Sequence, residues 1–448
     1  MLNKKEINSL AIPAILYNIT EPLIGLVDTA IIGRIGEDST IAQGGVGLAA
    51  GLIATLVWGF AQMRTSLSAI ISRQFGANKI EIIKSLVPQT LLLTFFTGLI
   101  LSILLITNYS YLANLVYGEI NINTFNYSKE YFIIRSYGLP LSLSIALFFG
   151  VFRGFQNTSW AMYISLIGGF SNIILDLVLV LGIDHLVSPM GVKGAAWASV
   201  YSQLLMVVLC GVFYLKKTPF NFKINIKISP FFKEMLHIFF NMFVRTMVLN
   251  LVFLISNRYA NSYGSSSLAA YTIAYNIWIF SAFFIDGYSN AGNALAGKFM
   301  GEKNKIKLQL LGKDLLKINI KIAVVLMVIY TVFYPYIGKL FNPEENVNII
   351  FKSIFWMVII AQPFNSIAFT FDGIFKGLGR AVDLRNTLTI GTFFFFIPTI
   401  YFLDLFIPEL ITIWVALTVW MIYRGLSLLI KFCLLYTSDA ADDTPCVD

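Results

Sequence analysis

Leu139-Pro140, followed by Gly150-Val151-Phe152-Arg153-Gly154, returns as Gln362-Pro363, followed by Gly373-Ile374-Phe375-Lys376-Gly377. The offset is 223 residues at every position. A looser pair, Ser72–Lys79 and Gly297–Lys305, aligns Gly76 with Gly301 at an offset of 225. A near-constant offset of half the chain means an internal duplication. It divides the sequence into a first half, 1–215, and a second half, 234–432, joined by a basic segment, 216–233.

The halves are made of membrane-spanning helices. Of 448 residues, 57% are hydrophobic and only 12% are charged. A soluble domain carries about 25% charged residues, and burial saturates with length. A soluble enzyme, a disordered chain and a nucleic-acid module are thereby excluded. A helical span needs about 20 apolar residues. Twelve are predicted, near 9–33, 42–71, 86–108, 130–152, 160–183, 193–215, 232–260, 268–297, 312–335, 349–374, 386–406 and 409–432. The runs are long and continuous rather than alternating, which selects helices over a barrel. The fold class is all-α: a polytopic membrane protein of two pseudosymmetric six-helix lobes.

The net charge of +8 reads as a topology signal rather than as affinity for nucleic acid. One set of connections, including the residues at the ends of spans, holds 23 Lys and Arg, and the opposite set holds 7. Both termini are therefore expected in the cytoplasm. An even number of spans per half makes the repeats parallel, a transporter architecture. Cys210, Cys433 and Cys446 have no ligand spacing, and two His give no imidazole cluster. No metal or catalytic constellation emerges, so an enzyme is not expected. Gly292–Lys298 resembles a phosphate loop, but Phe299 stands where Ser or Thr is required. The glycines at 44–51 suit close helix packing instead.

Charges inside spans are costly and face a cavity or a partner. The first half has Glu21, Asp28, Arg64 and Asp176; the second has Arg245, Asp286 and Asp372. Asp28 lies deep in the first span, after Pro13 and Pro22. Proline removes a helix hydrogen bond and permits a bend, so this span is a candidate gate. Asn172 and Asp176 are four apart, on one helix face. Asp28, Asn172 and Asp176 together offer hard oxygens for a monovalent cation, or a carboxylate pair to share a proton. The plainer alternatives are a carboxylate neutralised by an arginine such as Arg64, and an interhelical hydrogen bond. Arg64 and Arg245 are each expected to pair with a carboxylate of their own half. Glu21, Asp286 and Asp372 are candidate substrate or structural polar groups.

These residues resemble the multidrug and toxin extrusion (MATE) transporters of the DinF-like branch, over about 1–432. The resemblance rests on Pro13, the run Glu21–Ala30, Gly33, Met63-Arg64, Gln74–Ala77, Asn172–Asp176 and Gly194–Ser199. In the second half it rests on Arg245-Thr246, Leu268–Ala270, Asp286-Gly287 and Asp372-Gly373. It implies two lobes with a central cavity. It also implies export of organic, often cationic compounds in exchange for sodium ions or protons. It assigns the coupling site to Asp28, Asn172, Asp176 and Ser199, with Ser199 standing where the family usually has Thr. Pro13 would match the position where the first span bends.

The expectation is a cation-coupled antiporter working by alternating access. It needs no cofactor beyond Na+ or H+, has a small organic substrate and lipid as partners, and acts as a monomer in the cytoplasmic membrane. The rival reading is a flippase for a lipid-linked saccharide on a related fold. The segment 433–448 is acidic and abrupt, and reads as an artefactual tail from non-coding sequence.

Overall fold

The computed structural model describes residues 2–35, 39–118, 121–183, 185–225, 227–341 and 344–442, except the side chains of Glu21 and of 436–442. The candidate Glu21 and the end of the acidic tail, Cys446 included, thus lie outside the described residues. Among the described residues the chain is helical, with one isolated β-bridge between Ile183 and Val187. Among the described residues, eleven helices or helix pairs are long and apolar enough to cross a membrane, and one bent pair makes a twelfth.

Packing divides the chain into two units. One comprises Leu16–Phe75 and Lys79–His237; the other comprises Met1–Ile15, Gly76–Asn78 and Ile238–Asp448. In the first unit lie most of α1 (Lys4–Ile32), α2 (Ser39–Phe60), α3 (Met63–Gly76) and α4 (Leu86–Tyr117). They are followed by α5 (Ile122–Tyr137), α6 (Leu139–Gly154), α7 (Ser159–Leu181) and α8 (Val192–Lys217). Gly118, with φ 72°, ends α4 by turning its N–H onto the Asn114 carbonyl. Asn121 starts α5 by accepting from the Asn123 N–H. The fourth span is the bent one: α5 and α6 meet at 51° across Gly138. Pro140 cannot donate to the helix behind it, so the break falls there. The core gathers Ile32, Ala49, Tyr109, Phe132 and Ala196.

The second unit holds the rest: α9 (Phe232–Ser262), α10 (Ser265–Gly301), α11 (Lys305–Phe341), α12 (Glu345–Gly377), α13 (Ala381–Ile390), α14 (Ile397–Asp404) and α15 (Leu410–Asp442). A π-helical turn, Gly391–Phe396, links α13 to α14 just before Pro398. The extra residue of a π-turn is one way a span absorbs a proline ahead of it. The unit's core is aromatic, with Phe351, Phe355, Phe396, Trp414 and Trp420 buried together. Without water in the bilayer, such packing is held by dispersion and close fit rather than by the hydrophobic effect.

Candidate functional site

The seam between α1 and α7 shows why an aspartate can sit in each. The buried residues of α7 form one stripe: Ala161, Ser165, Gly169, Asn172, Asp176 and Val180. Phe170, Ile174 and Leu177 face outward. Helical periodicity puts that stripe on a single face. Gly169 lets α1 come close, because a Cβ there would meet Ile24 Cδ1 at 2.9 Å and Thr20 Cγ2 at 3.0 Å. Thr20, Ile24 and Asp28 are successive turns of α1. The contact that begins at Gly169 therefore brings Asp28 beside Asn172.

Asp28, Asn172 and Asp176 form one buried cluster. Asn172 Nδ2 donates to Asp176 Oδ2 at 2.5 Å and to Asp28 Oδ1 at 3.5 Å. The Asn172 amide thus joins the two carboxyl groups, one on each helix. Asp176 is fully buried, and its Oδ1 finds no donor among the described residues. Two ionised carboxylates so placed repel; a proton or a cation between them removes the conflict. The oxygens that face one another are those of two carboxylates, and the Asn172 amide presents its nitrogen to both. Among the described residues no group of three His, Cys, Asp or Glu could hold a metal ion. Carboxylate oxygens suit a proton or a hard monovalent ion rather than a soft transition metal. Ser199 is buried on α8, but among the described residues no hydrogen bond joins it to the cluster.

Arg135 is the residue the sequence did not reveal. It falls near the start of the predicted span 130–152, among the cations at span ends, yet it lies in the last turn of α5, and its guanidinium is close enough for its charge to bear on both Asp28 and Asp176. It sits beside the Tyr131 hydroxyl one turn earlier. With the Gln203 amide turned to satisfy both its ends, Gln203 accepts from Arg135 Nη1 at 2.8 Å and from Ser142 Oγ at 2.9 Å, and donates to the Gly138 carbonyl at 3.2 Å. The Gly138 carbonyl, which also accepts the Ser142 N–H at 2.9 Å, thus helps to anchor the side chain that holds Arg135. The signal was the sequence Tyr131, Arg135, Gly138, Pro140, a basic residue one turn before a helix break.

The remaining candidates are spread out. Pro13 is buried and Pro22 exposed, and α1 runs unbroken through both. Arg64 is half-buried at the start of α3, where its backbone touches Gly150 of α6. The expected ion pair for Arg64 is not there: among the described residues it has no carboxylate partner. Its place in the tight α3–α6 contact, where a Cβ at Gly150 would stand 2.5 Å from the Arg64 carbonyl oxygen, is set by backbone packing. Arg245 pairs with Asp372 at 2.6 Å, within the second unit. Asp286 accepts from Asn290 Nδ2 at 3.0 Å. Asp372 also takes Lys376 at 2.7 Å and lies 3.9 Å from Arg424. Arg424, counted at sequence level among the loop-side cations, is buried in the middle of α15.

Known proteins share this fold and part of this sequence. The family model described as MatE matches residues 13–178 and 242–402. DNA damage-inducible protein F of Escherichia coli is 27% identical over 432 residues, covering 95% of this chain and 91% of that one. The probable multidrug resistance protein NorM of Thermotoga maritima is 24% identical over 383 residues, covering 85% and 81%. The crystal structure of the Vibrio cholerae MATE transporter VcmN in its bent form superposes with a TM-score of 0.87 at 17% identity, covering 98% of each chain. The class is thus a multi-pass, all-helical membrane transporter and not an enzyme. The chain belongs to the MatE family, on its DinF-like branch.

Proposed function

We propose that this chain exports small organic compounds, cationic or amphipathic, in exchange for a monovalent cation. The observation that carries the reading is the buried Asp28–Asn172–Asp176 cluster, with Asp176 Oδ1 lacking a donor. Two ionised carboxylates and one nearby guanidinium leave one negative charge. One proton or one sodium ion closes that balance. Asp28, Asn172 and Asp176 would hold the ion, with Ser199 as a further oxygen, and the cation would draw α1 onto α7. Substrate favours the other arrangement, and alternating access follows because each ligand binds one state better. Pro13 and Pro22 let α1 bend between the two.

The relative named for multidrug resistance supports the substrate class. Asp372 and Arg245 are structural in this reading, and Asp286 is a candidate substrate contact. The transporter works as a monomer in the cytoplasmic membrane with both termini inside, and needs no cofactor beyond the coupling ion. The test is efflux from proteoliposomes under a sodium gradient or a pH gradient applied separately, across a panel of organic cations. Acceleration by one gradient is expected. Equal efflux with either gradient and with none contradicts the proposal.

A further inference from the structure

In the second unit one carboxylate serves three cations. Asp372 binds Arg245 Nη2 at 2.6 Å and Lys376 Nζ at 2.7 Å, and Arg424 Nη2 stands 3.9 Å away. No other carboxylate pairs with Arg245, Lys376 or Arg424 among the described residues. Asp383, the nearest acidic residue in sequence, is taken by Arg380 and Lys431, each at 3.2 Å. With all four groups ionised the cluster carries an excess of two positive charges. Buried charge without a partner is expensive, so an excess of this kind calls for a counter-charge.

Two of the cations also have unused donors. Arg245 is 6% exposed and its Nε has no hydrogen-bond partner among the described residues. Arg424 is 3% exposed. Its Nη1 reaches only the Met421 sulfur, at 3.2 Å, a weak acceptor. Its guanidinium lies over the Trp420 ring, 4.4 Å from the centroid. Stacking of this kind fixes the plane and leaves the edge for ligands. The Trp420 Nε1–H is held by Thr392 Oγ1 at 3.2 Å, so the ring itself is anchored. The Lys376 side chain is 20% exposed and forms the accessible rim.

We infer that Arg245, Lys376 and Arg424 form a binding site for an oxyanion, the carboxylate or phosphate group of a small acid or of an acidic lipid. Two guanidinium groups and an ammonium gathered about the Asp372 carboxylate, with Arg245 Nε and Arg424 Nη1 not spent on it, suit such a group, which accepts several charge-assisted hydrogen bonds at once. Asp372 holds the three cations in place and leaves two positive charges for the ligand. The site goes beyond the export reading and does not depend on the first-unit cluster.

The experiment uses the full chain in phosphatidylcholine nanodiscs, with no gradient. Equilibrium dialysis measures binding of radiolabelled benzoate and of inorganic phosphate. Saturable binding of one or both is expected, about tenfold weaker in Arg424→Gln, which is about 1.4 kcal/mol, and weaker also in Lys376→Gln. Arg424→Lys should recover only part of the loss, because it keeps the charge without the planar fork. A second set of nanodiscs contains phosphatidylglycerol. Competition there assigns the site to a lipid headgroup, and no competition assigns it to a soluble acid; both support the site. No saturable binding of either probe, or equal binding in wild type and both Gln variants, overturns it. Lys376→Gln at the exposed rim decides the matter should Arg424→Gln fail to fold. A chain that exports but binds neither probe defeats this inference alone. One that binds but exports nothing defeats only the export reading.

Discussion

The Asn172 amide reaches from α7 to the Asp28 carboxylate of α1 at 3.5 Å while bonding Asp176 of its own helix at 2.5 Å. One neutral donor therefore spans two acidic groups on two helices. The pair's oxygens not taken by that amide are where a cation or proton would go.

Removing the bridge should loosen the site without removing its charge. Asn172→Leu is expected to weaken apparent cation affinity by about 10–100-fold, the range for groups that orient ion ligands. Thermal stabilisation of the purified protein by the coupling ion measures this. An unchanged titration midpoint argues that Asn172 is only a packing residue.

The close approach at Gly169 should be a requirement for coupling. Gly169→Leu would push Ile24 and Thr20 away, since even a Cβ would stand 2.9 and 3.0 Å from their side chains. Efflux is expected to fall at least tenfold, about 1.4 kcal/mol. Shortening the opposing side chain with Ile24→Ala should restore part of it, as contacting residues are not additive. Equal loss in the single and double variants would place the effect elsewhere.

Arg135 offsets one of the two carboxylates. Arg135→Gln should make the pair hold its cation more tightly, by about tenfold, and release it more slowly, so turnover falls while affinity rises. Cation titration and efflux rate on one preparation read both. A fall in affinity would contradict the charge balance proposed for the site.

Asp372 is expected to matter for stability. Asp372→Leu leaves Arg245, Lys376 and Arg424 without a carboxylate, and removing one partner of a buried ion pair costs about 3–5 kcal/mol. A lowered melting temperature in detergent is expected, partly recovered by adding Arg245→Leu. Unchanged melting in Asp372→Leu would show that the cluster is solvated.

Much of this was legible in the sequence, and the two misses have different causes. Asp28 and Asp176 stood out because each interrupts a long apolar run, and the repeat around Gly150 and Gly373 divided the spans into two halves. Arg424 was equally visible in principle, lying between Trp420-Met421-Ile422-Tyr423 and Gly425-Leu426. It lies on the cytoplasmic side of the predicted span 409–432 and so counts with the cations that set orientation. Arg135 was hidden more deeply. Its helix, Ile122–Tyr137, begins with the polar residues Asn123, Asn126, Ser128, Lys129 and Glu130, so by hydropathy its Arg135 reads as a cation at the edge of a span. Hydropathy finds charges that violate an apolar run, but not a cation such as Arg135 at the edge of one.

The most direct test is gradient-driven efflux by Asp28→Asn and Asp176→Asn variants in proteoliposomes, with insertion confirmed for each. The account expects both to retain substrate binding and to lose acceleration by the coupling gradient. Wild-type acceleration in the Asp28→Asn protein would contradict it.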